Sequence, residues 1–280
     1  MSTTRRDGHF SFEFFPPRTA QGREKIVEVR EELAALEPDF FSVTYGAGGS
    51  TKDGTRQLVL DIHKSGSPVA PHLSFGGSDE REMLELLNHY QLQGIKRLVA
   101  LRGDIPSGTG LATQHIFANE LVEFVRKHTG RHFHIDVACY PEIHPQSESY
   151  DRDIHFFKKK VDAGADGAIT QYFYNPDAYF YFVDRCRDAG IDIPIVPGIM
   201  PITNYNKLAR FSDSCGAEIP RWIRQRLQSY GDDSDSIRAF GEEVVTKLCE
   251  TLLEGGAPGL HFYTLNQAVP VVKLWRNLGL

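Results

Sequence analysis

Glu13 stands in the run Ser11-Phe12-Glu13-Phe14-Phe15-Pro16-Pro17-Arg18, a carboxylate among phenylalanines. A carboxyl group held among three aromatic rings is partly desolvated, which favours its neutral form and suits it to donate a proton near neutrality. A salt bridge to Arg18, or an outward-facing strand position, accounts for the same pattern, because displaced carboxylates also occur in structural networks. Further on, the hydrophobic run Leu98-Val99-Ala100-Leu101 stops at Arg102-Gly103-Asp104, a cation, a glycine and an anion. Such a stop suits a polar ligand, and equally an Arg102 to Asp104 ion pair that closes a turn.

Other runs end in comparable chemistry. Val43-Thr44-Tyr45 leads into Gly46-Ala47-Gly48-Gly49, where glycines let backbone amides approach a ligand closely. This is neither a dinucleotide fingerprint nor a P-loop, and many turns need glycine only to reverse direction. Pro71-His72-Leu73 offers one histidine, a residue type that serves a core or rim as readily as catalysis. Tyr140-Pro141-Glu142-Ile143-His144-Pro145 and Ile169-Thr170-Gln171-Tyr172-Phe173 combine amide and aromatic groups, a set suited to a flat heterocycle. The 11 histidines include His132 and His134 on one face of a predicted strand, yet no carboxylate or cysteine stands at ligand spacing from them and no His-Glu-x-x-His occurs. No metal is expected. Neither a Gly-x-Ser-x-Gly elbow nor a Cys/His signature is present to support acyl transfer.

The elements that must position these residues follow from hydrophobic period. Eight short β-branched or aromatic runs, at residues 10–15, 39–45, 69–75, 97–101, 132–138, 167–171, 193–197 and 259–263, alternate with amphipathic stretches. Helical patterns follow at 21–35, 51–64, 80–93, 113–127, 151–163, 177–189 and 205–212, and a last one spans 268–278. Strand, helix, strand crossovers are right-handed, so eight in a row close most simply into an α/β (β/α)8 TIM barrel. An open doubly wound sheet is the alternative. Two further helical stretches, 220–229 and 236–253, read as an insertion between the seventh and eighth units. The whole chain, 1–280, then forms one barrel domain, with residues 1–9 as a flexible arm.

Composition narrows the classes. Hydrophobic residues at 41% and charged residues at 24% describe a globular chain with ample apolar surface, so disorder is not expected. A net charge of −6 leaves no basic footprint for a nucleic-acid backbone. No apolar stretch approaches the roughly 18 residues of a membrane span, and no apolar segment of a signal peptide follows the N-terminus. Cys139, Cys186, Cys215 and Cys249 form no Cys-x-x-Cys pair, which suits a reducing cytoplasm.

Taken in order, the strand ends resemble the methylenetetrahydrofolate reductase family from Phe10 to about Leu278. The motifs are Ser-Phe-Glu-Phe-Phe-Pro-Pro at 11–17, Ser-Val-Thr-Tyr-Gly-Ala at 42–47, Pro-His-Leu at 71–73 and Leu-Arg-Gly-Asp at 101–104. Tyr-Pro-Glu-Ile-His-Pro at 140–145, Ala-Ile-Thr-Gln at 168–171, Pro-Gly-Ile-Met-Pro at 197–201 and His-Phe-Tyr-Thr-Leu-Asn at 261–266 complete them.

The resemblance implies bound FAD, reduced by NADH or NADPH, and hydride transfer to 5,10-methylenetetrahydrofolate to give 5-methyltetrahydrofolate for methionine supply. It implies that Glu13 is the general acid that opens the folate ring to an iminium. It places Asp104 near the flavin's pyrimidine edge, where a negative charge favours the cationic substrate. Thr44, Tyr45, Ala47, His72, Arg102, Gly103, Asp104, Ala118, Tyr140, His144, Asp153, Lys159 and Lys160 match FAD-holding positions. For the lysines, a solvated helix face is the alternative. Glu13, Thr44, Gln171, Lys207, Phe211 and Gln267 match substrate-contacting positions, with Gln171 and Phe211 serving folate and nicotinamide in turn, hence ping-pong kinetics. One departure stands out: Gln267 follows Leu265-Asn266 where the family commonly has arginine, so a cation toward the acidic folate tail is missing. The resemblance further implies a homo-oligomer. Longer eukaryotic relatives append a domain responsive to S-adenosylmethionine, a control not expected here. Rival readings are another flavin barrel of the proline dehydrogenase kind and a flavin- or folate-binding subunit without activity; Glu13 with Asp104 argues against the second.

Overall fold

The computed structural model describes residues 8–45, 52–75, 79–102 and 117–280. Its strands are β1 His9–Phe14, β2 Phe40–Val43, β3 Val69–Leu73, β4 Arg97–Ala100, β5 His134–Cys139, β6 Gly167–Thr170, β7 Ile195–Val196, β8 Gly198–Ile199 and β9 Gly259–Tyr263. The helices are α1 Ala20–Ala34, α2 Lys52–Lys64, α3 Glu80–Leu92, α4 Ala118–Thr129, α5 Tyr150–Asp162, α6 Pro176–Asp188, α7 Tyr205–Cys215, α8 Arg221–Ser229, α9 Ser234–Glu254 and α10 Val269–Asn277. Every pairing is parallel, in the order β7-β6-β5-β4-β3-β2-β1-β9-β8.

The two short strands are halves of one stave. β7 pairs with β6, β8 pairs with β9, and only Pro197 separates them. Proline has no N–H to donate, so the ladder breaks there and the chain changes partners. The expected seventh strand at 193–197 is therefore found two residues later and in two pieces. The sheet closes into the predicted eight-staved barrel, with helices α8 and α9 between α7 and β9 as expected.

Local signals start the helices. Side chains of Thr19, Asp79, Ser149, Asn175, Asn204 and Asp233 each accept a backbone N–H at the head of the helix that follows. Caps of this kind are worth about 1 kcal/mol each. Gly216, left-handed at φ 76°, ends α7, a conformation glycine adopts without a Cβ clash. β5 begins at His134; His132 lies in the preceding turn with its Nε2 3.0 Å from the Ile95 carbonyl oxygen. The expected pair of imidazoles on one strand face therefore does not form.

Strand parity divides the core in two. Phe10, Phe12 and Phe14 face the helices, where Phe10 and Phe12 meet Trp275 of α10 at 5.2 and 5.7 Å and Phe14 stacks on Phe41 at 5.4 Å. The alternate residues Ser11 and Glu13 face the barrel interior, in register with His261 and Tyr263 on one side and with Phe40 and Ser42 on the other. Inside, a small apolar layer of Phe40, Ala70, Val99 and Ile169 forms a cluster separate from the main core. Around it lies a polar group from β4 and β5: Arg97 sits 4.2 Å over the Phe40 ring, donates to Asp136 at 2.8 Å and lies 2.7 Å from His134 Nε2. Burial alone would raise the Asp136 carboxyl, but His134 and Arg97 outweigh it and hold it below the usual range. No helix among the described residues is long and apolar enough to cross a membrane.

Candidate active site

Barrel ligands gather where the C-terminal ends of the strands meet. Glu13, next to last in β1, is half-buried there, its side chain 17% exposed. Its Oε2 lies 3.4 Å from His72 Nε2 on β3 and 3.5 Å from His261 Nε2 on β9. Both contacts are too poorly aligned to be hydrogen bonds, and both nitrogens are buried without another partner. The far nitrogen of His261, Nδ1, meets the Ser11 hydroxyl at 2.7 Å. Burial pulls the His72 pKa down, with His261 adding and Glu13 opposing, so this ring is neutral at physiological pH.

This corrects the expected surroundings of Glu13. Phe12 and Phe14 lie on the opposite face of the strand, and it is the barrel interior that surrounds the Glu13 side chain. Nor does Arg18 pair with Glu13, which turns to two imidazoles instead.

The tip of β1 is held from β9. The Thr264 hydroxyl donates to the Glu13 carbonyl at 2.6 Å. Asn266 accepts from Phe15 N–H at 3.0 Å and donates to the Phe15 carbonyl at 2.8 Å. Leu265 and Asn266 are both left-handed, at φ 51° and 54°, which turns the asparagine back over β1. Asparagine tolerates this region; leucine rarely adopts it. The motif reading named these residues only as part of a pattern, and a contact across 251 positions has no local sequence signal.

A second group forms between the ends of β4 and β5. Arg102 donates to Gln146 Oε1 at 2.9 Å and lies 5.4 Å over the Phe117 ring, just before Ala118 opens α4. Tyr140 and His144 meet edge to face at 4.5 Å. Asp153, in the first turn of α5, accepts the His144 backbone N–H at 2.8 Å. Gln146 N–H donates to His144 Nδ1 at 3.0 Å, which fixes Nε2 as the protonated nitrogen of the neutral ring. Burial lowers the His144 pKa, Lys160 and Arg102 add to it, and Asp153 opposes them. Lys160 is half-buried and donates to the Ala138 carbonyl; desolvation pulls its ammonium below the usual lysine range, with Cys139 and Asp153 opposing.

Thr44 and Tyr45 follow β2 half-buried, with Thr44 N–H on the Phe14 carbonyl. Gln171 follows β6, its N–H on the Cys139 carbonyl and its Oε1 accepting Tyr172 N–H at 3.0 Å. Lys207 and Phe211 lie one turn apart on the exposed side of α7, and Gln267 is exposed after β9. Lys159 is not with its neighbour: it lies on the exposed side of α5, its Nζ 5.5 Å over the Phe156 ring. Ala47, Gly103 and Asp104 lie outside the described residues. Sequence reasoning did not single out Gln146, His261, Thr264 or Asn266, which contact candidate residues or their strand, nor Ser11, which meets His261.

A family model described as methylenetetrahydrofolate reductase matches residues 2–279. The 5,10-methylenetetrahydrofolate reductase of Escherichia coli strain K12 is 37% identical over 270 residues, covering 96% of this chain and 90% of that protein. The enzyme of the same name from Buchnera aphidicola subsp. Schizaphis graminum is 39% identical over 272 residues, covering 96% and 91%. A solved structure of an uncharacterized protein from Clostridium thermocellum, which binds two copies of 5-methyl-5,6,7,8-tetrahydrofolic acid, superposes with a TM-score of 0.69 at 17% identity. That likeness covers 98% of this chain and 95% of the other and speaks to the fold alone. By the extent of the family match and the identity to these bacterial enzymes, the chain belongs to the methylenetetrahydrofolate reductase family of oxidoreductases.

Proposed function

We propose that this protein reduces 5,10-methylenetetrahydrofolate to 5-methyltetrahydrofolate with electrons from NADH or NADPH, using FAD as its resident cofactor. The observation that carries the reading is the half-buried Glu13 carboxyl between two buried imidazoles at the barrel mouth, in a chain of this family.

The mouth fits an anionic, flat cofactor. Lys160 and Arg102 bring cations, His144 presents Nε2–H as a donor, and His72 keeps a buried nitrogen without a hydrogen-bond partner. With Thr44, Tyr45, Ala118, Tyr140 and Asp153 these residues would hold FAD; Ala47, Gly103, Asp104 and Lys159 join them by resemblance. Bound FAD supplies the hydride chemistry. The protein's part is to hold and move a proton. Glu13 donates it to open the five-membered ring of the folate. His72 and His261, within 3.5 Å, offer its carboxyl a partner in either protonation state after a small rotation. Gln171, Lys207, Phe211 and Gln267 line the substrate side. Nicotinamide and folate share Gln171 and Phe211 in this reading, so they take turns and the kinetics are ping-pong. Four unpaired cysteines support a reducing cytoplasm as its setting. A homo-oligomer remains part of the proposal on family grounds.

Anaerobic stopped-flow of the two half-reactions tests the proposal. The FAD-loaded protein is yellow, is bleached by NADH or NADPH, and regains colour on adding methylenetetrahydrofolate. In Glu13→Gln, bleaching is unchanged and recolouring slows by about 10²–10⁴-fold, the usual contribution of a general acid. Equal recolouring rates remove Glu13 from the mechanism.

A further inference from the structure

We propose that Asn266 is a positioning residue for the acid: with Thr264 it clasps the tip of β1 and fixes where the Glu13 carboxyl stands in the barrel mouth. This rests on the folate-reducing reading above. Ladder pairing between β1 and β9 ends at Glu13 and Tyr263. Beyond that point the last strand continues to hold the first by other means. Thr264 donates its hydroxyl to the Glu13 carbonyl at 2.6 Å, and the Asn266 N–H in turn donates to that hydroxyl oxygen at 3.1 Å. The Asn266 amide then engages both backbone polar groups of Phe15, at 3.0 and 2.8 Å.

Three hydrogen bonds thus run from Thr264 and Asn266 to Glu13 and Phe15, and a fourth, within the turn, ties Asn266 to the Thr264 hydroxyl. Phe15 is 44% exposed, so burial does not immobilise this tip. The clasp does. Two successive left-handed residues make the geometry possible, and a non-glycine pair at positive φ is held only where surrounding contacts over-determine it. The Glu13 side chain shares its backbone with the clasped carbonyl, while the distances to His72 and His261 leave little slack. Loosening the tip moves the acid relative to both imidazoles and to any ligand in the mouth.

Three variants separate the clasp from backbone strain. Asn266→Gly keeps the left-handed turn accessible and deletes both side-chain bonds to Phe15; Asn266→Ala deletes them and adds strain; Asn266→Asp keeps the acceptor for Phe15 N–H and loses the donor. With FAD-loaded protein, the folate half-reaction of Asn266→Gly slows by about 10–100-fold, the loss that accompanies a misplacement near 1 Å. Its bleaching by NADH keeps the wild-type rate, its acid pH limb shifts, and backbone amides of the β1 tip exchange faster with solvent. Asn266→Asp recovers part of the rate. Thr264→Val, which removes the hydroxyl that reaches Glu13, gives the same selective loss should the Asn266 variants not fold. A wild-type folate rate and pH limb in Asn266→Gly, or an equal fall in both half-reactions, overturns the inference while leaving the folate reading intact. A wild-type protein that bleaches but never recolours with methylenetetrahydrofolate overturns the folate reading itself.

Discussion

The Ser11 hydroxyl lies 2.7 Å from Nδ1 of His261, a fully buried contact between residues 250 positions apart. It joins the first strand to the last on the inner face of the barrel, and the other ring nitrogen of the same histidine faces Glu13.

Removing that hydroxyl strands a buried imidazole nitrogen. Ser11→Ala should lower stability by about 1–3 kcal/mol, the usual penalty for an unsatisfied buried polar group. Urea unfolding monitored by the fluorescence of Trp222 and Trp275 measures it. A variant with an unchanged midpoint and slope would show that the contact contributes nothing.

A half-buried Arg97 pairs with the buried Asp136 carboxylate inside the barrel. Arg97→Met leaves the Asp136 charge without its guanidinium and should cost about 3–5 kcal/mol. Adding Asp136→Asn removes the stranded charge and should recover most of that loss. A double mutant as unstable as Arg97→Met would mean that packing over Phe40, rather than charge, sets the penalty.

Burial pushes Glu142 from an ordinary 4.5 up to about 7, the N–H of Glu218 opposing and the Glu218 carboxylate adding to the rise. Between those values the folded chain holds a proton that the unfolded chain has released, so this group's stabilising contribution is complete below 4.5 and is lost as pH rises through 7. Glu142→Gln should flatten that part of the stability profile and leave the variant relatively more stable at pH 8 than at pH 4. Parallel urea midpoints across the range for both proteins would refute it.

At Gly198 a Cβ would collide with the Thr170 carbonyl oxygen and come within 2.6 Å of the Tyr263 ring, which itself donates to that carbonyl at 2.7 Å. Neither neighbour has room to retreat in the barrel interior. Gly198→Ala should destabilise by about 1–3 kcal/mol, as overpacking does. An unchanged thermal midpoint would show that the stave shifts freely.

Much of the architecture was legible in advance because its signals are local. Alternating apolar runs and amphipathic stretches reported the eight units, each pattern being written within one element. Pro197 is also visible in the chain, yet that it splits one stave between two neighbours depends on which strands stand beside it. The side of β1 that Glu13 faces was decided in the same way. Parity puts it opposite Phe12 and Phe14, and only barrel closure brings His72 and His261 to it.

The amino-acid sequence by itself determined the repeat of strands and helices, the types of residue at their ends and the family they signal, since each is written within a few neighbouring positions. Tertiary structure alone decided which of those ends meet: that Lys160 turns inward while Lys159 lies outside, and that Asn266 grips the strand of Glu13. Such contacts join positions as far as 251 residues apart, and closing a ring of strands is what makes them neighbours.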